Sequence, residues 1–228
     1  MQERSLHAGL KRYYSKPGDK QEVLIEGYWI DVVHDDTLIE IQTKNFAAIK
    51  PKLLYLLPNY KICLVYPVAS ERWIERISSQ TKEILYRRRS PYHGRVEFLF
   101  NELVSIPSLI THPNFSIEIP LIVEEQVHLD DSHGSWRRRG VSIIDRRLLS
   151  VKEVKVFSNA TDFISLLPTQ MNRTFSSMEV ASNLKVPRRL ATKMLYCFRN
   201  MGLIETAGKT GRSVSYRFPS ASDQEIDN

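Results

Sequence analysis

The stretch from Phe175 to Phe218 carries more explicit folding punctuation than any other part of the chain, and so constrains it most. Ser176-Ser177-Met178-Glu179 matches a capping box, in which a serine hydroxyl takes the N–H three residues on while the glutamate reaches back to the serine N–H. Phe175 and Val180 stand at the positions of a hydrophobic staple, so a helix is expected from about Ser177 to Leu184. Pro187 fits a first helical turn, where its missing N–H costs nothing, and Gly202 fits a C-terminal cap. Between them lies a second helix whose Leu190, Met194, Leu195, Phe198 and Met201 form a core-facing stripe. A strand LIETA, a tight basic turn from Gly208 to Arg212 and a strand SVSYRF complete the pattern.

Two helices across a short turn followed by a β-hairpin is the order of a winged helix-turn-helix. Charge agrees with that order. From Pro168 to Phe218 nine Lys or Arg face two Glu, whereas residues 1–167 are nearly balanced at 23 against 21. A basic excess confined to one module suits a polyanionic partner, here DNA. By analogy with helix-turn-helix docking, Arg188, Arg189, Thr192 and Lys193 would approach the major groove, with Arg199 also on the exposed face. Lys209, Arg212 and Arg217 would let the wing touch the backbone. Winged helices also serve as protein–protein contacts, which keeps a homodimer or a partner protein open.

The N-terminal part reads as a mixed α/β module. Leu6, Leu10, Tyr13 and Tyr14 recur at helical spacing between Gln2 and Tyr14, and Lys16-Pro17-Gly18-Asp19 closes that helix with a turn. Val23–Val33 and Thr37–Lys44 read as paired strands, the first able to hold two strands bent at Gly27. A helix over 45–57, with Pro51 in its first turn or at a kink, and a buried strand over 61–69 follow. Ser70–Tyr86 is expected to be helical, with Trp73, Ile74, Ile77, Ile84 and Leu85 on one side, and Leu99–Leu109 helical again. Phe115–Leu129 alternates like a strand before a polar loop, 130–140.

One constellation could carry chemistry. On the second strand Glu40, Gln42 and Lys44 share a face, since side chains repeat every second residue, and Asp31 sits late on the strand before. Carboxylates so placed can hold Mg²⁺ or Mn²⁺, which polarises a phosphoryl group and activates water, while a Gln or Lys orients the water. In these residues and in the order of elements around them, the chain resembles the PD-(D/E)XK (restriction-endonuclease-like) nuclease superfamily, with its α-β-β-β-α-β core and mixed sheet. The resemblance covers about residues 2–70, with Asp31 as the strand aspartate and either Glu40-Ile41-Gln42 or Gln42-Thr43-Lys44 as the (D/E)-x-K element. The first register puts Gln for the family lysine and the second puts Gln for its acid. The resemblance implies metal ligation by Asp31 and Glu40, with Glu3 on the first helix as a further ligand, and positioning of water or phosphate by Gln42 and Lys44.

The expected organisation is a nuclease-like domain over 1–157, a winged helix over 158–218 and an acidic tail over 219–228. The expected activity is metal-dependent DNA cleavage, with a non-catalytic DNA-binding regulator or assembly protein as the alternative. Trp136 to Arg139 and Arg87 to Arg89 are candidate phosphate contacts, set against ordinary surface arginines paired with nearby acids. Of 228 residues 42% are apolar, enough for a packed core, yet no run reaches the ~18 uncharged apolar residues of a membrane span. Cys63 and Cys197 stand alone, without the partners of a disulfide framework or zinc site, and a cytoplasmic location is expected.

Overall fold

Turn chemistry organises the opening of the chain. In the computed structural model, which describes residues 5–131, 133, 140–168, 171–211 and 213–219, helix α1 (Ser5–Tyr14) precedes strands β1 (Lys20–Ile25) and β2 (Tyr28–His34). Glu26 and Gly27 both take positive φ, 50° and 82°, the backbone that a two-residue hairpin needs to match strand twist. The expected bend at Gly27 is therefore a full reversal, and the run Val23–Val33 is two strands. Strand β3 (Thr37–Ile41) pairs antiparallel with β2, and then runs parallel to β4 (Lys61–Val65) after the segment that carries α2 (Phe46–Leu56). Pro51 sits inside α2 at its sixth residue rather than in its first turn, which removes the helical donor to Ala47 without ending the helix.

The described residues fall into two compact units, Met1–Thr43 with Tyr60–Val96 and Glu118–Lys155, and Lys44–Asn59 with Glu97–Ile117 and Val156–Asn228. The first unit is built on a mixed sheet that continues through β5 (Val68–Ser78), β6 (Ile84–Arg89), β7 (Phe115–Asp130) and β8 (Val141–Phe157). Strand order is β1-β2-β3-β4-β7-β5-β6, with β8 also on β7. Leu6 and Leu10 of α1 join Val32, Ile39, Ile41, Cys63, Val65 and Ile122 in a buried cluster on one face. Gly9 permits this approach, since a Cβ there would lie 2.9 Å from Leu148 Cβ on β8. The Ser5 hydroxyl donating to Asp145 Oδ2 at 2.7 Å and the 2.6 Å Lys11–Glu22 pair fix the two ends of α1.

Three expectations are corrected here. Ser70–Tyr86 is not a helix but most of β5 and the start of β6. Its charges alternate in countercharged ladders: Arg72 meets Glu124 and Arg76 meets Asp130, while on the opposite face Glu71 meets Arg89 and Glu75 meets Arg147. These partners lie far along the chain, so local periodicity misleads. Leu99–Leu109 reduces to α3 (Phe100–Leu103) between two 3₁₀ turns, the second opened by Pro107. Finally β3 stops at Ile41, short of Lys44, and β8 is a strand that sequence reading did not anticipate.

The second unit collects α2, α3 and the C-terminal elements. Asn45 enters α2 with left-handed φ 61°, and Glu102 of α3 accepts from the Asn45 and Phe46 N–H groups at 2.6 and 3.3 Å, satisfying orphan donors of the helix start. Strand β9 (Phe175–Ser176), α4 (Ser177–Leu184), α5 (Arg188–Asn200), β10 (Glu205–Thr210) and β11 (Ser213–Arg217) follow, with sheet order β10-β11-β9. The capping box at Ser176 and Glu179 is present in both directions, and α4 starts and ends where its sequence signals put it. Phe100 packs against Phe163 and Phe198, ring centroids 6.2 and 5.2 Å apart, so the helical pair shares its core with the 97–117 segment. Among the described residues no helix is long and apolar enough to cross a membrane.

Candidate functional site

Asp31 stands where two strands part. Continuing the β2–β3 register would set Ile30 opposite Ile41, but pairing stops at Val32 opposite Ile39. The Ile41 N–H donates instead to Asp31 Oδ2 at 2.8 Å, so a side chain replaces the missing ladder bond. By strand alternation Asp31 shares a face with Val33, and Glu40 shares that face with Leu38, the residue opposite Val33. Glu40 is buried at 8% exposure. The Gln42 N–H donates to Val65 O at 2.9 Å and carries the β3–β4 ladder one residue past the strand, which keeps Gln42 in the alternation with Glu40. Lys44 lies beyond this ladder and is exposed. Glu3 falls outside the described residues.

Sequence reading missed His7. Its Nε2 lies 3.2 Å from Asp31 Oδ2 and 3.2 Å from the Ile41 carbonyl oxygen. A carbonyl oxygen only accepts, so Nε2 carries its proton and bridges the two oxygens. The signal was present in α1, where His7 falls one turn from Leu10 and Lys11, but only the fold shows that this turn overlies the end of β3.

Asp31 Oδ1 makes no hydrogen bond or ion pair among the described residues, and the Glu40 that shares its strand face is buried. Donors of this type suit a hard divalent cation. Among the described residues no three His, Cys, Asp or Glu side chains converge on one point, so an ion held here would complete its shell with backbone oxygen and water.

A second polar assembly covers β5 to β8. Glu124, fully buried, is held by Arg72 Nε at 2.5 Å and by Arg146 Nε and Nη2 at 2.9 and 2.5 Å. On the other face Arg87 lies over the Trp73 ring at 4.3 Å and bonds Glu125, and Arg89 pairs with Glu71. Two of the three arginines in the 87–89 run are thus neutralised within the sheet.

In the helical pair Arg188 and Arg189 are exposed at the start of α5. The Thr192 hydroxyl is turned back to Arg188 O at 3.0 Å, and Lys193 Nζ donates to Asn101 Oδ1 at 3.0 Å, so neither side chain projects as freely as expected. Lys209 is exposed on β10, and Arg217 is paired with Glu205. Arg212 and Trp136 to Arg139 lie outside the described residues.

Comparison with known proteins places the chain in a family. The chain belongs to the family described as Domain of unknown function (DUF8091), whose profile matches residues 4–158. A protein of Treponema pallidum (strain Nichols), described as an uncharacterized protein, is 32% identical over 217 residues, covering 94% of this chain and 85% of that relative. No solved structure matches the chain.

Proposed function

We propose that this chain is a metal-dependent DNA nuclease whose first unit has a restriction-endonuclease-like core and whose C-terminal elements form a winged helix. The observation that carries the reading is the tie between Asp31 and the Glu40-Ile41-Gln42 triplet, with the aspartate carboxylate accepting the central N–H of the triplet at 2.8 Å. It favours Glu40-Ile41-Gln42 over Gln42-Thr43-Lys44 as the functional register. The helix, hairpin, third strand, crossover segment and parallel fourth strand follow the α-β-β-β-α-β order. The three-stranded sheet around α4 and α5 has the connectivity of a wing.

Asp31 and Glu40 would hold the divalent ion through carboxylate oxygens. The ion, Mg²⁺ or Mn²⁺, would supply Lewis-acid polarisation of the phosphoryl group and lower the pKa of the attacking water. Gln42 would orient that water or the scissile phosphate through its amide. His7 holds Asp31 and the Ile41 carbonyl in register and so acts as a positioning residue. Arg188, Arg189 and Lys209 would hold DNA phosphates and base edges.

A second reading has its own support. The His7 bridge already satisfies Asp31 Oδ2 and the Ile41 carbonyl within the protein, as expected of a nuclease fold retained for binding DNA without cutting it. Incubation of the full chain with single- and double-stranded DNA in Mg²⁺, Mn²⁺ or EDTA separates the two. Cleavage with either metal and none in EDTA is expected; DNA binding with no cleavage under any condition would select the silent fold.

A further inference from the structure

Strands β5, β6, β7 and β8 enclose an open cavity of about 480 Å³ within the first unit. Its wall carries Arg72 and Arg76 from β5, Tyr86 and Arg88 from β6, and Gln126 and His128 from β7. Ile74, Val141 and Ile143 supply an apolar part. This is the face of β5 opposite Glu71, Trp73 and Glu75, as the period of two requires.

The charges here do not cancel. Four guanidiniums, of Arg72, Arg76, Arg88 and Arg146, meet only two carboxylates among the described residues, Glu124 and Asp130. Glu124 is shared between Arg72 and Arg146, and Asp130 Oδ2 takes Arg76 Nη2 at 2.8 Å. Arg76 Nε is a buried donor with no partner among the described residues. Arg88 reaches the Arg89 carbonyl at 3.4 Å and the Tyr86 hydroxyl, and has no carboxylate partner among the described residues. The Tyr86 hydroxyl is held below the ordinary tyrosine range by its hydrogen bond to Arg76 and, more weakly, by Arg88. Arg72 is braced over the Tyr92 ring, 3.8 Å from its centroid, and locked to Glu124, so it enters the wall with little freedom left to lose.

The net excess of two positive charges, one from Arg88 and one from the sharing of Glu124 by Arg72 and Arg146, matches the charge of a phosphomonoester, about −1.5 to −2 at neutral pH. Guanidinium forks also suit the three terminal oxygens of such a group better than a point charge does. The cavity falls within the ~300–1,000 Å³ usual for small-molecule sites, more than a lone phosphate needs. We propose that this cavity binds a phosphomonoester carried on a small organic body, with Arg76 and Arg88 taking the phosphate and the Ile74, Val141 and Ile143 side taking the body. The same chemistry is offered by a sugar phosphate, by a free nucleotide and by the 5′-phosphorylated end of a nucleic acid. The site is independent of Asp31 and Glu40 and does not require the nuclease reading.

Calorimetric titration of the full chain tests this with three pairs of probes: ribose 5-phosphate and ribose, AMP and adenosine, and a dinucleotide with and without its 5′-phosphate. At least one phosphorylated probe is expected to bind saturably, one per chain, and about tenfold or more tighter than its partner, as one or more charge-assisted hydrogen bonds would give. The pair that responds identifies the source of the phosphate. Arg88→Gln should weaken that binding by about tenfold with an unchanged unfolding midpoint, because it breaks no ion pair. Ile143→Trp, which fills the cavity from β8, should weaken it independently, and Asp31→Asn should leave it unchanged. Equal affinity for every phosphorylated probe and its partner, or wild-type affinity in both Arg88→Gln and Ile143→Trp, would overturn the proposal.

Discussion

Glu124 shows how individual residues are constrained in this protein. A fully buried carboxylate between two arginines is tolerated only because both oxygens are bonded. Glu124→Ala should cost about 3–5 kcal/mol, the usual penalty for leaving buried charge uncompensated, measured by denaturant unfolding. Asp31 is constrained differently, since Oδ2 serves the Ile41 N–H and His7 while Oδ1 makes no hydrogen bond among the described residues. Asp31→Asn keeps an acceptor for the Ile41 N–H and should fold normally while cutting DNA at least about a hundredfold more slowly, because a bound metal supplies several kcal/mol. His7→Ala removes a bridge to two oxygens and should lower stability by about 1 kcal/mol. It should also reduce cleavage without abolishing it, as a positioning role requires.

At the level of elements, α4 permits a pH prediction. Glu179 is held below the usual carboxylate range by Asn172, then by the Ser176 hydroxyl and backbone N–H. A depressed folded pKa means that the contribution is complete above the ordinary glutamate pKa and is lost as pH falls through the lower folded value. The stability gap between wild type and Glu179→Gln should therefore be widest near neutrality and should close on acidification below about pH 4, as followed by unfolding from pH 7 to pH 3. Helix α4 was legible in the sequence because its signals are local, from the Ser176 cap to the Val180 staple. The pairing of β2 with β3 was legible for the same reason, whereas β1 and β2 read as one run able to bend at Gly27, where the chain in fact reverses. Strand β5 was not, because the partners that decide its alternating charges lie on β6, β7 and β8. At the candidate site Asp31 and Glu40 could be read from strand periodicity, but His7 could not, since nothing local ties α1 to the Ile41 carbonyl.

For the molecule as a whole, the proposed DNA binding would follow the distribution of charge. Exposed Arg188 and Arg189 head the most basic segment of the chain. Reversing both to Glu should weaken DNA binding strongly and lower the slope of log affinity against log salt by about 2, one per lost phosphate contact. Unchanged affinity would remove α5 from the interface. The central claim, that Asp31 and the Glu40-Ile41-Gln42 triplet form a metal-dependent hydrolytic centre, is tested most directly by one comparison. Cleavage rate and DNA affinity are measured in the same Mg²⁺ solution for wild type and Asp31→Asn. The account predicts metal-dependent cleavage by the wild type, a loss of about a hundredfold or more in the variant, and equal DNA binding by both. Equal cleavage rates would contradict it.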